Sequence, residues 1–201
     1  MANSLKNETE IYKIEKKHIP LIARLHIKEL PNDFLSLLGY DFIANCYYPN
    51  LINQKGCFGY YAKNNKGFIG FVFFIRSKNY LFNIIKNNFL YFIIRIFYNL
   101  YKLNFIVYIF EIIFLIIFSK KSKYEIDYEL AYIAISSLES GKGIGSSLIT
   151  EGEKKMKSIG GNYCWVKTLT KTKENVSFYK KNSFIEYKKF LGRTYLFKKL
   201  I

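Results

Sequence analysis

The 201 residues include only three cysteines, Cys46, Cys57 and Cys164, and two histidines, His18 and His26. An odd number of cysteines with no CxxC spacing cannot build a disulfide framework, and so few ligands do not make a zinc site, so no metal is expected. The compartment reads as reducing. Arginine is scarce as well: Arg24, Arg76, Arg95 and Arg193 are the only four among 31 basic residues. Lysine therefore dominates a formal net charge of +16, set against 15 acids. A basic balance suggests an anionic partner, but the planar fork suited to bases and phosphates is nearly missing, which argues against a specific nucleic-acid binder. Weak, nonspecific binding is the expectation there. The opening stretch MANSLKNETEIYK lacks the apolar core of a secretory signal, so no export peptide is expected, the mature chain is read as starting here, and the expected localisation is cytoplasmic.

What is present points to a folded domain. Half the residues are apolar and 19% aromatic, with 19 Phe and 18 Tyr, far too much sticky surface for a disordered or fibrous chain. This length fits one domain carrying a large insertion and buries a core without staples. Residues 10–15 alternate as a strand, and Pro20 then stands where a first helical turn tolerates it. Two helices, 20–30 and 33–48, follow from the apolar spacing, with Gly39 interrupting the second and Pro49 ending it. The aromatic runs 57–63 and 68–76 flank Asn64-Asn65-Lys66-Gly67 and read as a hairpin. Later come a strand at 128–136, a helix at 143–159 stopped by Gly160-Gly161, a strand at 162–169, a helix at 174–182 and a hairpin of 184–190 with 193–199.

Between Ser77 and Lys123 the composition changes: seven basic residues, one acid (Glu111), no Gly and no Pro. The spacing predicts an inserted helical hairpin. Asn88, Arg95, Asn99 and Lys102 would line one polar stripe of its first helix. From 103 to 118 only Asn104 and Glu111 break an apolar run, which falls short of the roughly 20 residues a membrane span needs. The readings left open are helices packed on the domain, a homodimer contact through residues 80–118, or a basic surface resting on the inner face of a membrane.

The strongest local signal is Ser140-Gly141-Lys142-Gly143-Ile144-Gly145-Ser146, between an apolar strand and an amphipathic helix. Glycines there let backbone N–H groups and the positive end of a helix approach a pyrophosphate, and Lys142 would add a mobile cation. The nucleoside-triphosphate loop fails, because Ser146 rather than Lys follows Gly145. The dinucleotide fingerprint would need Ser146 as its third small residue and finds no acid at the end of the next strand before Glu174. The turn instead resembles the coenzyme A turn of the GNAT superfamily of N-acetyltransferases, Q/R-x-x-G-x-G/A, here with Ser140 in the first position. The apolar strand Tyr132-Ile133-Ala134-Ile135 before it and the run Phe178-Tyr179-Lys180-Lys181-Asn182-Ser183-Phe184 after it are similar to that superfamily too. Ser183 stands where a Gly is usual, and Asn175 lies closer to Tyr179 than the Asn of most members.

This resemblance implies an α/β fold of the GNAT acyl-CoA N-acyltransferase type: a central mixed, mostly antiparallel sheet flanked by helices, with the helical hairpin inserted at 77–123 of a single domain. It implies direct transfer of an acetyl group from acetyl-coenzyme A to the primary amine of a small molecule, an amino sugar or other cell-surface precursor being the favoured acceptor. The backbone of Ile133, Ala134 and Ile135 would bind the pantetheine arm; Ser140 to Ser146 with Asn175, Phe178 and Lys180 would hold the rest of the cosubstrate. Tyr179 would protonate the departing thiolate, and Glu129 is the candidate general base, with Glu29 and His26 as rivals. Trp165 and the cysteines read as core. The alternative is a non-catalytic membrane- or protein-docking module in which the glycine turn only caps a helix.

Overall fold

A computed structural model of the protein describes residues 8–76, 80–99, 127–190 and 192–200. β1 (Glu10–Lys13) leads to α1 (Ile19–Glu29), where Pro20 occupies the first turn and removes no helical hydrogen bond. α2 (Phe34–Leu38) is capped by Asp33, which accepts from Leu35 N, and it stops at Gly39, whose φ of 92° suits glycine. The chain is then helical again through α3 (Tyr40–Phe42), a π turn (Ile43–Tyr47) and α4 (Tyr48–Ile52). The expected stop at Pro49 is therefore corrected. Proline breaks an α-helix by losing an N–H and crowding the carbonyl one turn back. Here it follows the wider π turn and falls in the first turn of α4, while Asn50 Nδ2 donates to the Cys46 carbonyl at 2.7 Å.

β2 (Phe58–Asn64) and β3 (Gly67–Ile75) form the expected hairpin, followed by α5 (Tyr80–Asn87) and α6 (Phe89–Asn99). β4 (Tyr128–Ile135), α7 (Ile144–Ser158), β5 (Tyr163–Leu169), α8 (Lys173–Lys181), β6 (Ile185–Phe190) and β7 (Arg193–Lys199) complete the order. They make one seven-stranded sheet, β1-β2-β3-β4-β5-β7-β6, with β4 and β5 the one parallel pair among the described strands. The mixed, mostly antiparallel sheet flanked by helices is the expected architecture.

Both faces of this sheet are covered, which is why β3 reads as an unbroken apolar run instead of an alternating one. Phe71, Phe73 and Ile75 face a core shared with α1 to α4; Val72 and Phe74 face a second core with Leu148, Ile149 and Met156 of α7 and Tyr179 of α8. β4 carries a bulge. Phe73 pairs with Tyr132 and Phe74 with Leu130, so Ala131 is the extra residue, and Ala131 and Tyr132 both pack toward the α1 side.

α5 and α6 lie in the first part of the 77–123 segment expected to be an insertion; its remainder, with Lys102 and the apolar run 103–118, lies outside the described residues. The polar stripe of α6 turns inward: Arg95 pairs with Asp41 at 2.7 Å, and Asn99 is buried and donates to the Arg95 carbonyl. Phe89, Leu90, Ile94, Phe97 and Tyr98 face outward and are more than half exposed. Among the described residues no helix is long and apolar enough to cross a membrane.

Gly152 sits mid-helix in α7 with the Phe74 ring pressed against the place where a Cβ would be. Alanine is favoured over glycine in a helix by about 1 kcal/mol, whereas overpacking a filled core costs about 1–3 kcal/mol. Gly152→Ala should therefore lower unfolding free energy in urea titrations despite its better propensity. A stabilised variant would contradict this packing.

Candidate functional site

β4 and β5 pair over three residues only: Tyr128 with Cys164, Glu129 with Trp165 and Leu130 with Val166. Beyond the bulge at Ala131 the two strands part, because β5 keeps full pairing with β7 while β4 stays with β3. The result is a wedge in the middle of the sheet. Ser136 N donates to Ile69 O at 2.8 Å, and antiparallel alternation then directs the main-chain groups of Ala134 and Tyr132 to β3 as well. Ile133 and Ile135 are thus the residues whose N–H and C=O face the wedge. The expectation that Ala134 offers its backbone there is corrected, since β3 already uses it.

The glycine turn closes the end of the wedge. Gly141 and Gly143 adopt φ of 77° and 80°, with open space where a Cβ would lie. Gly143 is the residue before α7 and supplies no side-chain cap, so the first-turn N–H groups of Ile144, Gly145 and Ser146 have no intrahelical acceptor. Free donors at the positive end of a helix suit an anion. The Ile144 side chain is in the core, however, and Gly145 has a different task from Gly143: a Cβ on it would lie 2.9 Å from Phe178 Cζ. Gly145 lets α7 pass beneath the Phe178 ring.

Lys142 is anchored, not mobile. Its Nζ lies 2.7 Å from Glu139, a buried carboxylate that also has Lys66 at 3.7 Å. Two ammonium groups against one carboxylate leave the mouth of the turn net positive. Ser140 lies in the turn, Asn175 is exposed in the first turn of α8, and Lys180 is ion-paired with Glu186 at 2.9 Å.

The candidate acid and base lie on opposite faces of the sheet. Tyr179 is 7% exposed among Phe178, Phe184 and Cys164, and burial pushes its phenol well above the ordinary value, so it stays protonated at neutral pH. Glu129 faces the other way, between Tyr128 and Leu130, which join the α7 core. Its carboxylate is 2.9 Å from Lys167 Nζ, and that charge holds the Lys167 ammonium above its usual range. Of the two rivals, Glu29 is at the end of α1 with Oε1 buried and Lys28 3.9 Å away. His26 is wholly buried and bonded through both nitrogens, to Tyr48 and Asp33. Asp33, Tyr48 and Tyr132 were not singled out from the sequence for chemistry; the only signal there was a lone histidine seven residues before a helix cap. Burial raises the Cys57 thiol to about 12 and Cys164 further, consistent with unreactive core cysteines.

The geometry has known counterparts. The sequence model of the Acetyltransferase (GNAT) family matches residues 20–184. Among solved structures, an acetyltransferase of the GNAT family from Staphylococcus aureus Mu50 superposes with a TM-score of 0.61 at 14% identity, covering 96% of this chain and 100% of that one. The PaiA N-acetyltransferase from Thermoplasma acidophilum, solved with coenzyme A, gives 0.61 at 16% identity over 96% and 99% of the two chains. NAA60 of Arabidopsis thaliana, solved with acetyl-CoA, gives 0.60 at 13% over 96% and 99%. At these identities the likeness speaks for the fold. No protein with a curated description matches the chain.

Hydrogen bonding from Lys142, with help from Lys66, holds the Glu139 carboxyl below its ordinary range against the opposing effect of burial. A carboxyl lowered in the folded state stabilises the fold above its unfolded pKa, and that contribution is lost as pH falls through the folded value. Glu139→Gln should therefore show a shallower fall of Tm between about pH 5 and pH 3 than the parent protein. Parallel Tm curves would remove this clamp from the account.

Proposed function

Because the chain belongs to the GNAT acetyltransferase family, we propose that it transfers the acetyl group of acetyl-coenzyme A directly to the primary amine of a small molecule, an amino sugar or related cell-surface precursor. The observation that carries this reading is the wedge between β4 and β5 running into a glycine turn at the start of α7. The residues present fit the cosubstrate: open space above Gly141 and Gly143, first-turn donors at Ile144, Gly145 and Ser146, and main-chain groups of Ile133 and Ile135 facing the gap. The bound cosubstrate supplies an activated acetyl thioester.

The chain's own part is orientation and proton management. Gly141 to Ser146 would hold the diphosphate, with Lys142 and Lys66 keeping the mouth positive, and the wedge would align the pantetheine arm. Holding donor and acceptor together accounts for much of the rate enhancement open to such a site. Main-chain N–H groups in the gap would polarise the reacting carbonyl. Tyr179 keeps its proton at neutral pH and would hand it to the sulfur, while Glu129, on the opposite face of the sheet, would take the proton that the amine gives up. Ser140, Asn175, Phe178 and Lys180 would contact the outer part of the cosubstrate once the Lys180 ion pair yields. Such an enzyme would work in the cytoplasm. The exposed apolar face of α6 supports a peripheral membrane contact or self-association through residues 80–118.

A ligand that binds only the folded state raises its stability by about 2.7 kcal/mol at a hundredfold excess over Kd, a Tm shift of roughly 5–10 °C at this size. Acetyl-CoA should produce such a shift, and Gly143→Asp should abolish it, since Asp tolerates positive φ but repels a diphosphate. No shift in the parent protein at millimolar acetyl-CoA would favour the docking-module alternative. Tyr179→Phe should leave the shift intact and reduce turnover at least tenfold; unchanged turnover would take Tyr179 out of the chemistry.

A further inference from the structure

The acceptor face of β4 holds a polar network that none of these roles uses. His26, fully buried on α1, has Nδ1 2.7 Å from the Tyr48 hydroxyl and Nε2 3.3 Å from Asp33 Oδ2. A carboxylate can only accept, so Nε2–H donates to Asp33, and in the neutral imidazole Nδ1 then accepts from the Tyr48 hydroxyl. Asp33 Oδ2 also accepts from Leu35 N at 3.1 Å and, at the limit of hydrogen-bonding distance, 3.5 Å, from the hydroxyl of Tyr132. Tyr132 belongs to the part of β4 that has left β5. All these contacts fall on Oδ2. Among the described residues none is made to Oδ1, and the Asp33 side chain is 32% exposed.

Two further observations bear on what belongs there. The Tyr47 hydroxyl is fully buried beside Tyr80, and its ring packs edge-on to Tyr132 at 5.8 Å and to Tyr48 at 5.2 Å, so phenols line this face of the site. Glu129, a second carboxylate of this face, is already matched by Lys167. Asp33 is backed by an imidazole and phenols instead, with no lysine or arginine in contact among the described residues. A half-desolvated carboxylate ringed by aromatic groups calls for a cation, and the faces of tyrosine rings attract one as well.

We infer that Asp33, oriented by His26 and Tyr48, binds the nitrogen of the acceptor, and that the acceptor is a primary amine carrying positive charge at neutral pH. This rests on the acetyltransferase reading for its purpose, but the binding site can be tested apart from it. The probe is 1,5-diaminopentane, titrated calorimetrically into the protein with and without saturating coenzyme A, beside 1,5-pentanediol as the neutral match. The diamine should bind and the diol should not. Asp33→Asn retains an oxygen for the Leu35 cap, so it should fold with unchanged coenzyme A affinity yet bind the diamine at least tenfold more weakly. His26→Gln, a positioning change, should weaken it less. Absence of diamine binding to the parent protein, equal binding of the diol, or undiminished binding by Asp33→Asn would overturn the inference. Failure of coenzyme A to bind would overturn the acetyltransferase reading and leave the diamine comparison to decide this site separately.

Discussion

The early end of the β4–β5 ladder is the constraint from which the rest of the site follows. Three paired residues hold the strands together at Tyr128, Glu129 and Leu130; the extra residue Ala131 then bends β4 away while β7 keeps β5 on its course. Main-chain polar groups seldom go without a partner, so the open sides of Ile133 and Ile135 are met by water or by something that binds. The same strand delivers the chain to Ser140 and the start of α7, so the gap and the unsaturated helix end lie in one line. A continuous parallel pairing would have closed both.

A split sheet also separates two chemical environments. On the α7 side the surroundings are apolar and hold Tyr179 protonated by desolvation. On the α1 side are the ionic and hydrogen-bonded groups: Glu129 with Lys167, and Asp33 with His26, Tyr48 and Tyr132. On the proposed reading one proton leaves the amine on the α1 side and another reaches the sulfur from the α7 side, so the two proton transfers use groups held in separate surroundings.

Element order was legible from local patterns because each element is punctuated by its own chemistry: Pro20 in the first turn of α1, Gly39 at the end of α2, the Asn-Asn-Lys-Gly turn between β2 and β3. The glycine turn could be located as well, because its small residues stand together between an apolar strand and an amphipathic helix. What stayed hidden depends on distance in sequence. Nothing local announces that Ala131 is a bulge, because register is a property of two strands. The π turn that carries the chain past Pro49 is equally invisible to apolar spacing. Tyr132 and Asp33 meet across 99 residues, and Gly145 and Phe178 across a strand and a helix, so their pairings arise only on folding. Lys142 reads as a mobile cation from sequence because nothing local marks Glu139, three residues earlier, as a buried partner.

Amide hydrogen exchange in the presence and absence of coenzyme A tests the wedge most directly, because it reads individual main-chain donors. Saturating coenzyme A should slow exchange at Ile133 and Ile135 and at residues 144–146, while the amides of β5 that pair with β7 stay as they were. Unchanged exchange along 133–135, with any protection confined elsewhere, would contradict the claim that the parted strands are where the cosubstrate lies.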